Sequence, residues 1–201
     1  MTATPTRPRL TRAARRAQIA QAAALVLADR ESTEVSFEDV AAAAGVSRSL
    51  VYKHFGDRGS LLAAAYLHDI ERLDHQINAA LRDCSDDDQR LRSVVAAYLG
   101  FAKANRASAK LIASLGTLRH PAVQSALHAR VDRVASQFGD SPEALLVARG
   151  IVGLLESVSV YWADQHTTDT DEAVDLLVRV LRDGLNSVAA DLGYSPVGAL
   201  S

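Results

Sequence analysis

The chain has 201 residues, of which 48% are hydrophobic, with five prolines, one cysteine and a formal net charge of −2. This composition excludes a Pro-rich or collagen-like chain and an internal disulfide framework, and it leaves a small protein able to bury a sizeable core, either as one domain or as a small domain attached to a larger one. The lone Cys84 fits a reducing compartment; with no apolar run read as long enough for a membrane span and no signal-peptide pattern, a cytoplasmic protein without membrane partners is expected.

The charge is unevenly placed. Residues 1–60 carry nine Lys and Arg against six Asp and Glu, whereas 61–201 carry thirteen against eighteen. Arg7, Arg9, Arg12, Arg15 and Arg16 come before any acid. A basic end on a mildly acidic body is the pattern of a chain that meets a polyanion at one end.

Nearly everything reads as helix, because glycine and proline sit at breaks and no segment alternates as a strand does. Helices are expected at about 11–29, 37–44, 48–55, 58–82, 87–105, 108–118, 122–137, 142–165 and 171–191. Residues 1–10 read as a disordered basic arm and 193–201 as a frayed tail.

In the first third, Ser36 is placed to cap 37–44, with Asp39 three residues on, where an acid favours a helix start. Gly45 can take the left-handed conformation that ends that helix, and Ser47 caps 48–55. Val46 with Val51, and Val35 with Val40, have the spacing of hydrophobic staples. Two short helices joined by so tight a turn make a helix-turn-helix. At 100° per residue, Val51 and Phe55 face inward while Ser49 and Lys53 face out. Arg48 and Tyr52 form one flank, Leu50 and His54 the other. A helix presenting Arg, Ser and Lys at its start suits the acceptors of the DNA major groove.

Further along, Asp86, Asp87 and Asp88 read as the acidic first turn of 87–105 rather than as metal ligands. His68, Glu71 and His75 share a helical face and read as solvated, so no metal or other cofactor is expected. Ser141 and Pro142 open 142–165, which is apolar almost all round and must be covered on several sides. In 171–191, Val174, Val178, Leu181, Leu185, Val188 and Leu192 follow a 4-3-4-3-4 spacing, a seam for another helix. There is no Gly-rich phosphate loop, nucleophile elbow or Cys–His pair, so no enzyme is expected.

The segment "VSFEDVAAAAGVSRSLVYKHFGDRGSLLAAA", residues 35–65, resembles the N-terminal DNA-binding domain of the TetR family of transcriptional regulators. The likeness rests on Ser36, on Ala44-Gly45-Val46-Ser47, on Val51-Tyr52-Lys53-His54-Phe55, and on Arg58 and Leu61. It implies an all-α fold: a three-helix DNA-binding domain at 11–57, then a larger ligand-binding and dimerisation domain at 58–192. By the resemblance Ser36, Tyr52, His54 and Arg58 contact phosphates, while Arg48, Ser49 and Lys53 reach bases. Arg58 stands where the family usually has Lys, and Leu50 stands where a small residue is common.

The resemblance also places an effector pocket between about 87 and 165, with Tyr98, Phe101, Leu115, Leu118, Leu127, Glu156, Val158, Tyr161 and Trp162 as candidate lining. Glu156 needs a partner, which is either a ligand donor or an internal arginine. A homodimer through the last two helices is implied, with Val174, Val178, Leu181, Leu185 and Val188 at its interface. The function expected is a ligand-responsive, sequence-specific regulator, a repressor released from a palindromic duplex operator by a small, largely apolar effector. The alternatives are a helical protein-interaction adaptor and a DNA-binding dimer without a switch.

Overall fold

A computed structural model describes residues 10–29, 35–116, 118–139, 141–165 and 168–192. The expected arm, except Leu10, and the expected tail lie outside these residues. The described residues are helical and contain no strand: α1 (Arg12–Asp29), α2 (Phe37–Ala44), α3 (Arg48–Phe55), α4 (Arg58–Leu81), α5 (Asp87–Ala104), α6 (Arg106–Leu115), α7 (Pro121–Ala135), α8 (Pro142–Gln165) and α9 (Thr170–Leu192).

The caps account for the boundaries. Ser36 and Asp39 form a reciprocal capping box: the Asp39 amide donates to Ser36 Oγ at 3.2 Å and the Ser36 amide to Asp39 Oδ2 at 3.0 Å. Gly45 sits at φ 64°, in the left-handed region, and the Val46 amide reaches back to the Ala41 carbonyl at 3.0 Å. Together these close a Schellman turn. Ser47 then caps α3, and Asp57 caps α4 by accepting from the Ser60 amide at 2.8 Å. Further on, Asp86 accepts from the Gln89 amide at 2.8 Å and starts α5. Helix α6 begins at Arg106, earlier than the expected 108, with Asn105 alone between it and the end of α5 at Ala104.

Helix α4 joins the two halves of the molecule. Its buried side includes Leu61, Leu62, Ala65, Tyr66, Ile70 and Leu73. It packs on α1 at one end and on α5, α6 and α7 further along, and α1 also packs on α6. One continuous apolar core therefore runs across the expected boundary at 57/58, from Ile19 through Val51 and Phe55 to Leu99, Trp162 and Leu181. A second cluster, with Leu127, Val131, Ala148 and Val152, lies between α7 and α8.

Two expectations need correcting. The α9 stripe does not face outward: Val174, Val178 and Leu181 are buried within the subunit, where α9 packs on α5. The side chains of Leu185 and Val188 lie outside the described residues. Among the described side chains of α9, Leu176 and Val180 are large, apolar and exposed. An apolar stripe fixes which face is buried, but not whether the covering helix belongs to the same chain. Helix α8, moreover, is long and apolar enough by length and composition to cross a membrane, contrary to the sequence expectation. Here it packs against α5, α6 and α7 as a wall of the bundle.

The left-handed turn at Gly45 sets the angle between α2 and α3, and a Cβ there would meet nothing within 4 Å. The cost of a side chain is therefore conformational. Gly45→Ala should destabilise the fold by about 1 kcal/mol, and Gly45→Asn by less, in urea unfolding.

Candidate nucleic-acid interface

Helix α3 is held from beneath and displayed on one side. Val51 and Phe55 are buried, while Arg48, Ser49, Tyr52 and Lys53 are exposed, as the helical wheel predicts. The Tyr52 ring stacks on Phe37 of α2 with centroids 4.1 Å apart and planes 5° from parallel. Arg48 pairs with Glu38 of α2, and its Nη2 donates to Tyr52 Oη at 3.4 Å. Ser49 Oγ lies 3.0 Å from Ser47 Oγ. Leu50 is half-buried.

The phosphate-contact candidates surround this helix. Arg58 is half-buried, and one guanidinium nitrogen, Nη2, is buried without a hydrogen-bond partner. Ser36 is differently disposed from the expectation that its amide contacts a phosphate. Both its amide and its hydroxyl are turned onto Asp39 Oδ2, at 3.0 and 2.6 Å.

From the sequence alone, Arg16 has no role beyond its share of the basic N-terminal charge. Its Nη1 donates to the His54 carbonyl at 2.5 Å, and its guanidinium lies 4.3 Å from the Phe55 ring centroid. It thereby fastens the end of α3 to α1. The excess of arginine before residue 17 was the available signal. Partial burial lowers the His54 pKa, and Arg12, Arg16, Arg15 and Lys53 lower it further. That imidazole is neutral at pH 7 and stands in a positive field.

In the larger half, Tyr98, Phe101, Leu115 and Trp162 are buried together, with Leu118 and Val158 packed against them. Leu127 belongs to the second cluster. Tyr161 is 65% exposed and points away from the interior, so it does not line a pocket with the others. Glu156 finds an internal partner. Arg130 of α7, 5% exposed, donates from Nη1 to Glu156 at 2.6 Å and from Nη2 to Tyr98 Oη at 2.5 Å, and its Nε lies 3.4 Å from Asp74 of α4. Burial pushes the Tyr98 phenol up to about 12 and raises the Glu156 carboxyl against the pull of Arg130. Burial also works against the charge of Arg130, but Tyr98, Glu156 and Asp74 outweigh it and hold the guanidinium firmly ionised. The fully buried Tyr66 hydroxyl nearby has no hydrogen-bond partner.

A cleft of about 580 Å³ opens elsewhere, between α1, α4 and the α5–α6 junction, and its lining includes Leu25, Asp69, Arg72, Lys103 and Arg106. None of these was among the expected pocket residues. Among the described residues no group of His, Cys, Asp and Glu could hold a metal ion.

A capped helix-turn-helix with a basic exposed face, carried on an all-helical body, defines a DNA-binding regulator of the helix-turn-helix class. Residues 19–65 match the family model described as "Bacterial regulatory proteins, tetR family". The chain is 28% identical over 190 residues to the "HTH-type transcriptional activator FasR" of Mycolicibacterium smegmatis, covering 90% of this chain and 87% of that protein. The crystal structure of a TetR-like transcriptional regulator from Rhodococcus sp. RHA1 superposes with a TM-score of 0.68 at 26% identity, covering 88% of this chain and 98% of that one. The fold is shared at 18% identity with AibR, solved in complex with isovaleryl coenzyme A and operator DNA, at a TM-score of 0.64 over 83% of this chain and 97% of that one. Residues 19–65 thus carry the DNA-binding module of the TetR family, and over most of its length the chain is similar to TetR-family proteins, which are transcriptional regulators rather than enzymes.

Two outcomes follow from these geometries. A phosphate beside His54 would favour the imidazolium and raise a pKa that is depressed in the free protein, so binding would take up a proton. DNA affinity should therefore rise as pH falls from about 7 to 5.5, and His54→Gln should remove that part of the pH dependence in fluorescence titrations. In the core, Arg130→Met would leave Glu156 without its ion-pair partner and leave Asp74 only the more exposed Arg133, at 3.5 Å. It should cost about 3–5 kcal/mol in denaturant unfolding, and the double change with Glu156→Met should recover part of that loss.

Proposed function

We propose that this chain is a sequence-specific, ligand-responsive regulator that grips a palindromic duplex as a homodimer and is released when a small effector with an apolar body binds its larger half. The observation carrying this reading is α3 itself: Arg48, Ser49 and Lys53 displayed on a helix whose opposite side is locked into the core. A helix built only for packing has no use for that row of donors, and an adaptor that binds only protein has no use for the arginines of α1 beside it.

The dimer reading draws support from the faces left uncovered. Only 28% of the most apolar stretch of α8 is buried within the subunit. Leu146 and Tyr161 of α8 and Leu176 and Val180 of α9 are exposed, and Gly150 and Gly153 of α8 leave open space for a closely approaching helix. Exposed apolar side chains on two neighbouring helices support an interface there. A second copy places its α3 one helical turn of duplex away, or nearly so, which is how a dimer reads a palindrome.

The effector reading is supported by the apolar surroundings of Tyr98, Phe101, Leu115 and Trp162, and by AibR, whose complex holds an acyl thioester together with operator DNA. Coupling would run through α4, which is separated from α3 by only two residues and carries Asp74 against Arg130. A 100-fold preference of the effector for the released state supplies about 2.7 kcal/mol of coupling per site. Release from an operator overlapping a promoter gives derepression, the sign expected from the family resemblance. The relative FasR carries the name of an activator, so operator position would set the sign.

The test is selection of duplexes from a random pool, followed by titration with variants. The wild type should select an inverted repeat, with affinity falling steeply as salt rises. Arg48→Ala and Lys53→Ala should each weaken binding and relax preference at one position per half-site, by about 1–3 kcal/mol per lost base contact. Unchanged affinity and preference in both variants would remove α3 as the reader.

A further inference from the structure

The pairing of α2 with α3 at their exposed edge does more than pack two helices. Arg48 and Tyr52 are one helical turn apart on α3, and adjacent residues of α2, Phe37 and Glu38, hold them. Phe37 lies flat beneath the Tyr52 ring. Tyr52 in turn takes Arg48 Nη2 on its hydroxyl, with the guanidinium carbon 5.3 Å from the ring centroid. Glu38 takes Nη1 from the other side. All of this happens at the surface, where Arg48 and Glu38 keep 57% and 54% of their side-chain exposure.

An unrestrained arginine at the start of an exposed helix samples many rotamers, and ordering it costs free energy at the moment of binding. Here it is ordered beforehand. Each holder uses one N–H, and each terminal nitrogen of a guanidinium carries two. An end-on fork therefore remains free, and that fork matches O6 and N7 of a guanine in the major groove. An acid on a surface that faces a polyanion also has a cost, since it repels phosphate at any sequence. Discrimination is gained and non-specific affinity is lost, a trade typical of specificity built by disfavouring the wrong partner.

We propose that Glu38 is a positioning residue for DNA reading: it holds the Arg48 guanidinium for bidentate contact with a guanine and sets the reading head against non-specific duplex. This rests on the assignment of Arg48 as a base reader made under the proposed function. Glu38 itself touches no base.

The experiment uses the full chain and a duplex selected by the wild type. The guanine is located as the base pair whose substitution matters to the wild type and not to Arg48→Ala. Glu38→Gln removes the charge and keeps the length; Glu38→Asp keeps the charge and shortens the reach. Discrimination at that guanine should fall roughly three- to fivefold in both variants, the scale of an exposed ion pair. Affinity for a scrambled duplex at low salt should rise about twofold in Glu38→Gln and stay level in Glu38→Asp. In the Arg48→Ala background neither change should alter discrimination anywhere, a result that a merely structural role for Glu38 would not produce.

Unchanged discrimination in both variants overturns the proposal while leaving DNA reading by α3 intact. Sharper discrimination in Glu38→Gln also overturns it, since Glu38 would then compete with the base for Arg48. A loss that persists without Arg48 overturns it by making Glu38 a reader in its own right. If the wild type selects no duplex at all, the reading of α3 fails and this proposal falls with it.

Discussion

The apolar side of α4 is what makes two small helical bodies into one. Leu61, Leu62, Ala65 and Tyr66 close the core beneath α3, and Ile70 and Leu73 continue the same face into the larger half. A helix of 24 residues with its side chains locked along most of one face behaves as a rod rather than a hinge. Asp57 caps its start, two residues after α3 ends, so there is little slack between reader and rod. Whatever tilts α4 must carry α3 along. Burial of α1 against both α4 and α6 adds a second mechanical link between the halves.

Charge is used in opposite ways at the two ends of that rod. In the interior, Arg130 is buried and joins α7 to α4, α5 and α8 through Asp74, Tyr98 and Glu156. Burying these ions is expensive, and only simultaneous satisfaction of the guanidinium by several acceptors offsets it. Such a hub tolerates few geometries, which fixes the helices relative to one another. At the surface, Arg48, Tyr52, Lys53 and Arg58 retain exposed or half-exposed groups that water can release without penalty. The first arrangement suits rigidity and the second suits exchange of water for DNA.

The sequence was most legible where local chemistry decides structure. Ser36, Gly45 and Ser47 set the bounds of α2 and α3 by capping alone, and both helices fall on the expected residues. The inward pair Val51 and Phe55 followed from helical spacing. Where the outcome depends on which helix meets which, the sequence was silent. The α9 stripe could have served a second subunit or α5, and its described part, Val174, Val178 and Leu181, is buried within the subunit, where α9 packs on α5. Tyr161 and Trp162 are neighbours on an apolar helix, yet one faces solvent and the other the core. The arginine that partners Glu156 lies 26 residues away on another helix, beyond the reach of any spacing rule. The likeness to known regulators is firmest over residues 19–65, the part whose structure is most locally determined.

The claim that reader and larger half form one mechanical unit is open to hydrogen exchange on the protein with and without its selected duplex. Binding should slow exchange across α2 and α3, where contact is made, and also along α4 through Leu73 and into α7 around Arg130, which DNA cannot touch. Slowing that distant from the duplex means that bound DNA suppresses openings of a shared unit. Protection that stops at Phe55, with α4 and α7 exchanging as in the free protein, would contradict the account and leave α3 as a reader uncoupled from the body that carries it.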